Sequence, residues 1–196
     1  MAAPTAANVI VGKPLATGGV MVAPKGTTLP TGATAATVTL DAAFVGTGYI
    51  SEDGVTQSIG TDTTDIVAWG GDTVRVIQTT HALTYQFSFL ETNSDVLKLV
   101  YGDENVSVTA ATSSAGTRIA TLINSKTLPH KAYALEIKDG DAKVRIAIPD
   151  GQITTVGDVT YVHSDAIKYD VTITCYPDDS GNKAYLYTDD GVFSGA

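Results

Sequence analysis

The sequence contains a single cysteine and no long apolar run. Cys175 has no partner for an intrachain disulfide, and disulfides are typical of oxidising compartments, so we expect folding in a reducing cytoplasm. No apolar segment has the length needed to cross a bilayer, and the first residues lack the basic and apolar regions of a signal peptide. The sequence therefore predicts a soluble protein without a membrane partner.

Basic residues are scarce. The chain of 196 residues has 12 Lys and Arg against 21 Asp and Glu, which gives a net charge of −9 at pH 7. Nonspecific binding of nucleic acid depends on contacts between Lys or Arg and phosphates, so this balance argues against tight DNA binding. It is compatible with a surface past which a polyanion slides without sticking.

Groups that perform chemistry are also few. His81, His130 and His163 are far apart and belong to no ligand or catalytic motif, which favours unrelated surface histidines over a metal site. Residues 178–182 place oxygen ligands beside a glycine but lack the rest of a calcium loop, so a plain turn is favoured. Cys175 lies in an alternating apolar pattern that indicates a buried position. We predict no catalytic residues, no metal and no cofactor, and therefore no enzyme.

The sequence divides into an arm and a domain. Residues 1–45 are rich in Ala, Thr, Gly and Pro and contain one short apolar run, 20–23, so we expect an extended arm with a short strand. Residues 46–196 have the denser patterns of a folded domain. Arms with little core of their own are often ordered by a neighbouring chain.

Alternation of apolar and polar residues makes this domain mainly β. In 73–90, Leu83, Tyr85, Phe87 and Phe89 share one face and polar residues share the other, so one side should face a core and the other water. Further strands are expected at 55–59, 133–138, 144–148, 152–156, 159–162, 167–176 and 183–188. This pattern predicts an antiparallel sandwich or barrel.

Two local signals complete the predicted fold. Asn93 or Ser94 can cap a helix over 94–101, and Gly102 can end it, so we expect one flanking amphipathic helix. Asp139 and Gly140 between two alternating runs predict the turn of a β-hairpin.

A long loop or hairpin is expected around residues 60–75. It holds the only tryptophan, Trp69, followed by Gly70 and Gly71, which can adopt positive φ at both central positions of a two-residue turn. Composition alone favours the Trp69 ring folding back onto its own sheet. A large aromatic side chain at a hairpin tip instead points to a contact between chains.

Several sequence blocks carry a resemblance to a known family. They are 48–56 (GYISEDGVT), 65–72 (DIVAWGGD), 85–87 (YQF), 90–93 (LETN), 176–178 (YPD) and 181–185 (GNKAY). These blocks resemble the major tail protein, or tail tube protein, of bacteriophages with long, non-contractile tails, in particular those that infect actinobacteria. The likeness covers roughly residues 45–190, and the low-complexity segments 1–45 and 103–117 match less distinctively.

The resemblance implies a phage tail tube fold, a β-sandwich flanked by a helix, assembled into hexameric rings that stack into a hollow tube. It also implies an acidic bore, a tape-measure protein inside the tube before ejection, and terminator and distal tail proteins as partners. Genomic DNA would pass through without specific binding. The implied location is the virion tail, after assembly in the host cytoplasm.

Site residues follow from the hairpin pattern together with the resemblance. Trp69, Gly70, Gly71 and Asp72 are expected to form a tip that docks on a neighbouring subunit, with Arg75 paired to an acidic group across that contact. Candidate bore-facing or inner-sheet polar residues are Gln86, Glu136, Lys138 and Arg145.

A hypothesis from another class is a carbohydrate-binding or adhesin-like β-sandwich. In that case Trp69, Tyr185 and Tyr187 would form a platform on which sugars stack. The absence of a recognisable nucleophile and base disfavours a hydrolase. Rings or tubes in electron micrographs of concentrated protein would favour the tube subunit, and small monomeric particles would favour the binding module.

Overall fold

Within the described residues, the chain folds around one antiparallel β-sheet and one α-helix, which confirms the predicted fold class. The computed structural model describes residues 9–15, 19–33 and 39–192, so residues 1–8, 16–18 and 34–38 of the predicted arm lie outside the described residues. The strands are β1 (Lys13–Pro14), β2 (Val20–Pro24), β3 (Val45–Gly46), β4 (Thr56–Val67), β5 (Thr73–Phe89), β6 (Val106–Thr109), β7 (Arg118–Thr121), β8 (Lys131–Asp139), β9 (Ala142–Val156), β10 (Tyr169–Tyr176) and β11 (Tyr185–Asp189). The helix is α1 (Ser94–Tyr101), followed by a short 3-10 turn at Asp103–Asn105.

The main sheet has nine strands. Its order is β3-β2-β8-β9-β10-β5-β4, with β1 beside β8 and β11 beside β9, while β6 and β7 form a separate pair. Strand β9 pairs with β8 on one side and with both β10 and β11 on the other, so it connects the two ends of the sheet. Side chains from β2 and β8 at one end and from β5 and β10 at the other belong to the same core cluster.

In the second half of β5, one face is buried and the other faces solvent, as the alternation of apolar and polar residues predicts. The buried side chains are Leu83, Tyr85, Phe87 and Phe89. Between them, Gln86 is exposed and Thr84 and Ser88 are half-buried on the opposite face. Since side chains alternate along a strand, burial of one face sets the direction of every side chain in this half of β5.

Helix α1 covers the core. The side chain of Asn93 accepts hydrogen bonds from the N–H groups of Asp95 (3.0 Å) and Val96 (2.8 Å), and it is therefore the cap of the two candidates. Gly102 ends the helix with a positive φ of 98°. The helix buries Val96, Leu97, Leu99 and Val100 against the core cluster.

The hairpin between β8 and β9 is confirmed, with its turn one residue later than predicted. The strands end at Asp139 and resume at Ala142, so Gly140 and Asp141 form the two-residue turn. Gly140 has a φ of +60°, whereas no non-glycine residue described has a positive φ. Positive φ at the first central position alone is the pattern of a type II′ turn, which requires glycine there and not at the second position.

The N-terminal segment covers part of the second face of the sheet. Strand β2 pairs with β8, and Ala23 and Phe44 pack against Ala132 and Ala134 of β8 in a small apolar cluster. Leu29 and Leu40 lie against the same cluster. The alanines of β8 leave room for these larger side chains, so this face of β8 is covered by chain from far earlier in the sequence.

Asp150 of β9 attaches two connecting segments to the sheet. Its carboxylate accepts a hydrogen bond from Lys25 Nζ at 2.6 Å and lies 2.6 Å from His130 Nδ1, with only 10% of the side chain exposed. Burial raises the pKa of Asp150, but the hydrogen bonds from Lys25 and His130 outweigh burial and hold that pKa below its ordinary value. The ionised carboxylate therefore joins the residues after β2 and before β8 to β9.

Replacing the helix cap should destabilise the subunit. We expect Asn93→Ala to lower the free energy of unfolding by about 1 kcal/mol, because two N–H groups lose their acceptor. Chemical denaturation measures this difference. Ser94→Ala is the matched control, since Ser94 makes no capping hydrogen bond, and an equal loss in both variants would contradict the role of Asn93.

Replacing Asp150 should produce a pH-dependent loss of stability. A carboxyl group whose pKa is lower in the folded state stabilises the fold above its unfolded pKa of about 3.9 and loses this effect as the pH falls through the folded pKa. We expect Asp150→Asn to cost roughly 1–3 kcal/mol at pH 7 and the difference from wild type to shrink below about pH 4. Denaturation at a series of pH values measures it, and a difference that is constant with pH would contradict this origin.

Candidate assembly surface

The β4–β5 hairpin extends beyond the rest of the sheet. Strand β5 pairs with β10 only from Thr84 to Phe89, whereas it pairs with β4 from Thr73 to Gln86. All of β4 is exposed, as is β5 up to Ala82. We call residues 61–81 the free hairpin. At a rise of about 3.4 Å per residue, the seven residues of β4 within it project roughly 24 Å.

Two irregularities twist the free hairpin. The register shifts between Asp62 and Thr63 and again between Ile66 and Val67, as in β-bulges. At the first shift, Thr80 Oγ1 donates to Asp62 Oδ2 (2.7 Å) and Thr79 Oγ1 to the Asp62 carbonyl (3.1 Å). Bulges increase strand twist and interrupt a flat edge, so the exposed edge of β4 is a poor template for unspecific pairing.

The tip of the free hairpin is a five-residue connection, longer than the predicted two-residue turn. The carbonyl of Ala68 accepts from Gly71 N–H (3.0 Å), which places Trp69 and Gly70 at the centre of the turn, and Ala68 N–H donates to the Asp72 carbonyl (2.8 Å). The prediction of positive φ at both glycines is wrong, because only Gly71 has one, at 92°. Since this turn closes at Gly71, positive φ is needed at that position alone.

Trp69 is fully exposed at this tip. The expectation from composition, that its ring folds back onto its own sheet, is wrong for the subunit. The reason is geometric, because the free hairpin carries the ring away from the core that would cover it. Nothing in the described chain stacks on the ring.

Further apolar side chains are exposed along the hairpin. They are Ile59, Ile66, Val67, Val74, Val76 and Ile77. Monomeric proteins rarely expose a group of aliphatic side chains beside a fully exposed tryptophan. Such apolar surfaces mark sites of interaction. Sequence alternation did not reveal this group, because alternation indicates which residues share a face of a strand and not whether another layer covers that face.

Asp72 and Arg75 lie beside the tip without ion pairs in the described part of the chain. Arg75 is opposite Ile66 in the β4–β5 ladder and is exposed. Both charges are therefore accessible to a partner, and their predicted contacts with a neighbouring subunit stay predictions.

The polar residues predicted for the inner sheet lie in two environments. Glu136 and Arg145 face each other across β8 and β9 and are buried, with Arg145 only 2% exposed. Arg145 Nε donates to Glu136 Oε1, and its Nη1 donates to the carbonyl of Gly32 at 2.8 Å, beneath the N-terminal segment. Gln86 and Lys138 are exposed. In the register of β1, β8 and β9, Lys138 lies between Lys13 and Lys143.

Gln86 belongs to an open polar surface that we call the hydroxyl face. One row crosses four strands through Thr56, Gln86, Thr172 and Thr155. The next row crosses them through Ser58, Thr84 and Thr174 and ends at Gln152, which is buried, and Ser88 pairs with Asp170 beside the first row. Thr154 adds a hydroxyl 2.8 Å from that of Thr174. Part of this surface is a depression of about 350 Å³. Only Gln86 was singled out from the sequence, because pairing of β9, β10 and β5 cannot be read from local alternation.

Groups capable of chemistry remain scattered. No cluster of His, Cys, Asp and Glu suited to a metal occurs in the residues described. Asp178 accepts backbone hydrogen bonds from Ser180 and Asn182 and a hydrogen bond from Tyr185 Oη, so this loop is a side-chain-capped turn. Burial raises the pKa of the Cys175 thiol to about 12, which keeps it protonated and unreactive.

The platform proposed for carbohydrate is not assembled in the subunit. Tyr185 and Tyr187 lie with parallel rings 6.4 Å apart on β11, whereas Trp69 is at the hairpin tip and makes no ring contact in the described part of the chain. Tyr185 Oη is already hydrogen-bonded to Asp178. None of the described helices has the length and hydropathy to span a membrane.

Comparison with known proteins supplies the family. A family model described as phage tail tube protein matches residues 3–195. No curated protein matches the sequence. Similar solved structures include a chain of the sheath–tube complex of an extracellular contractile injection system in its extended state (7% identity, TM-score 0.45, 95% of this chain and 100% of that chain covered).

Two other similar structures are a chain of the tube-terminating cap of the anti-feeding prophage (12% identity, TM-score 0.41, 93% and 96% covered) and a chain of the virion of a native gene transfer agent (13% identity, TM-score 0.39, 76% and 92% covered). The family model spans almost the whole sequence, including the free hairpin and the hydroxyl face. The chain belongs to the phage tail tube protein family.

Proposed function

We propose that this tail tube protein forms hexameric rings that stack into the conduit through which DNA leaves the virion. Membership of its family makes the chain a structural component of a phage tail and not an enzyme. The observation that carries the proposal is the free hairpin, whose exposed apolar residues have no partner within the described subunit. A second copy of the chain supplies that partner.

The tip of the hairpin is the proposed contact. Trp69 docks on a neighbouring subunit, the turn formed by Gly70, Gly71 and Asp72 presents it, and Arg75 pairs with an acidic group across the contact. Aromatic residues that become fully desolvated often dominate the energy of an interface. Burial of each large aliphatic side chain along the hairpin would add about 1.5–3 kcal/mol before the entropy cost of association.

The contact joins different surfaces of two copies. A hairpin that reaches from one subunit into another forms a head-to-tail interface, and such interfaces close into rings or continue as helical stacks. Residues 1–45, proposed as an arm between rings, would add a second connection. Among the described residues of the arm, β1 and β2 pair with β8, and the chain around Gly32 and Phe44 packs on the same sheet.

The proposed partners follow from a tube of this kind. A tape-measure protein would occupy the bore before ejection, and terminator and distal tail proteins would bind the two ends. The tube would be assembled in the host cytoplasm and remain in the virion tail of a phage with a long, non-contractile tail that infects actinobacteria.

The exposed polar residues are the candidates for the bore. Gln86 is exposed on the hydroxyl face and Lys138 beside the β8–β9 turn, so either can meet the contents of a tube. Glu136 and Arg145 are buried under the N-terminal segment, where their charges neutralise each other and hold Gly32. We therefore propose that Glu136 and Arg145 keep the inner sheet in shape rather than contact DNA.

Truncation of the tryptophan should weaken assembly without unfolding the subunit. We expect Trp69→Ala to raise the protein concentration needed for tubes by about 30-fold or more, because central interface residues typically contribute about 2 kcal/mol or more. Sedimentation and negative-stain microscopy over a concentration series measure this threshold. Thermal unfolding should be unchanged, since the ring touches no core residue.

Tyr161→Ala is the matched control for this experiment. Tyr161 is also a highly exposed aromatic residue, but it lies in the connection before β10 and not on the hairpin. An unchanged tube threshold for Trp69→Ala, or an equal shift for Tyr161→Ala, would refute docking through the hairpin tip. Monomers of wild-type protein at high concentration that bind a glycan column would instead favour the carbohydrate-binding hypothesis.

A further inference from the structure

A depression of about 230 Å³ lies near the end of β5 that is remote from the hairpin tip. We call it the end pocket. The apolar side chains that line it are Pro14, Ile50, Val55, Leu135 and Ile137. Ile50 forms a bridge with Phe89, the last residue of β5, which fixes the place of the end pocket in the sheet. Apolar cavities of about 150 Å³ bind benzene, so this depression has room for an aromatic ring.

Two carboxylates stand at the edge of the end pocket. Glu52 and Asp53 line it and are exposed. They are the central residues of a turn in which Gly54 N–H donates to the carbonyl of Ser51 at 3.0 Å. Ser51 is buried, and its N–H donates to the carbonyl of Ser88 at 2.9 Å. The turn is therefore attached to β5 and holds both acidic residues beside the apolar lining.

This edge carries net negative charge. Neither Glu52 nor Asp53 forms an ion pair within the described chain. Lys168 is paired with Asp165 at 3.0 Å, and its pKa is raised mainly by that hydrogen bond and to a smaller extent by Asp53 and Glu52. Since Lys168 and Asp165 neutralise each other, two carboxylates are left to attract a cation.

We propose that the end pocket receives the Trp69 ring of a second copy of the chain, and that Glu52 and Asp53 pair with Arg75 of that copy. This inference rests on the proposed function and names the surface on which the hairpin tip docks. The tip presents a fully exposed ring close to an arginine without an ion pair in the described chain. The end pocket offers the complementary arrangement, an apolar depression beside two carboxylates.

The position of the end pocket requires that the ring come from another copy. Strand β5 has 17 residues, so roughly 55 Å of strand, at about 3.4 Å per residue, separates the tip from the end pocket. Each copy therefore carries one tip and one end pocket at opposite ends of the same strand. Contacts between two different surfaces of identical subunits continue from copy to copy, as stacking into a tube needs.

Other depressions match the tip less well. One of about 220 Å³ between β2 and α1, and one of about 310 Å³ beyond the end of α1, also contain apolar side chains. Their carboxylates are already engaged in the ion pairs Asp95–Lys98, Asp103–Lys131 and Glu104–Lys126. The depression on the hydroxyl face is lined mainly by polar residues. Among these depressions, the end pocket alone combines an apolar lining with carboxylates that lack an ion pair in the described chain.

An exchange of charges tests the pairing. We expect Arg75→Glu, and separately Glu52→Lys combined with Asp53→Lys, to raise the protein concentration needed for tubes at least about tenfold, because like charges then meet. The triple variant should return this threshold to within about threefold of wild type. Asp179→Lys is the control, since Asp179 is exposed on a different turn and should not rescue Arg75→Glu. Sedimentation measures the threshold, and thermal unfolding confirms that each variant is folded.

Cross-linking tests the proximity directly. Asp72→Cys and Glu52→Cys in one chain place a thiol beside the tip and another at the edge of the end pocket. The native Cys175 is buried and does not compete. In assembled tubes, a short thiol cross-linker should produce a ladder of covalent multimers on denaturing gels. Asp72→Cys with Asp179→Cys is the matched control pair and should give no ladder.

The outcomes separate this inference from the function on which it rests. If the triple variant is not restored, or if the two cysteine pairs cross-link equally in tubes, the tip docks elsewhere and the end pocket is not its acceptor. In that case wild-type protein still forms tubes, and the proposed function stands. If wild-type protein forms no tubes at any concentration, the proposed function itself fails.

Discussion

Burial of one side of β5 is the constraint on which the other surfaces depend. Leu83, Tyr85, Phe87 and Phe89 enter the core, so the strand cannot rotate or slip by one residue without exposing all four. The opposite side of β5 therefore points away from the core. Together with the neighbouring strands β10 and β4, it forms part of the hydroxyl face. The same anchored half of β5 holds the hairpin, which continues past the sheet where the core contacts end.

The sequence predicts those parts of the fold that depend on neighbours a few residues away. The alternation of β5, the cap at Asn93 and the glycine-containing turn after β8 are all local, and each is present. The polar segment 61–64 lies beyond the strand predicted at 55–59 and within the predicted loop or hairpin. It is instead strand, because pairing with β5 satisfies its backbone and exposed threonines need no core.

Prediction is weakest where distant segments meet. Glu136 and Arg145 alternate with apolar residues, a pattern typical of a solvent-exposed face. Both are nevertheless buried, because the chain around Gly32, far earlier in the sequence, covers them. The hydroxyl face is likewise invisible to local pattern, since its rows join strands separated by as much as a hundred residues. A surface made of Thr, Ser and Gln has no motif, and only the register of the ladders assembles it.

The free hairpin must remain soluble before assembly and still associate specifically afterwards. Its acidic residues and its two bulges oppose indiscriminate strand pairing, because charge and twist make an edge hard to match. The aliphatic residues and Trp69 can therefore be buried only by a surface that fits a twisted, charged hairpin. In the proposed tube, specificity would then come from the same features that protect the monomer, with a neighbouring copy of the chain as the surface that covers the hairpin.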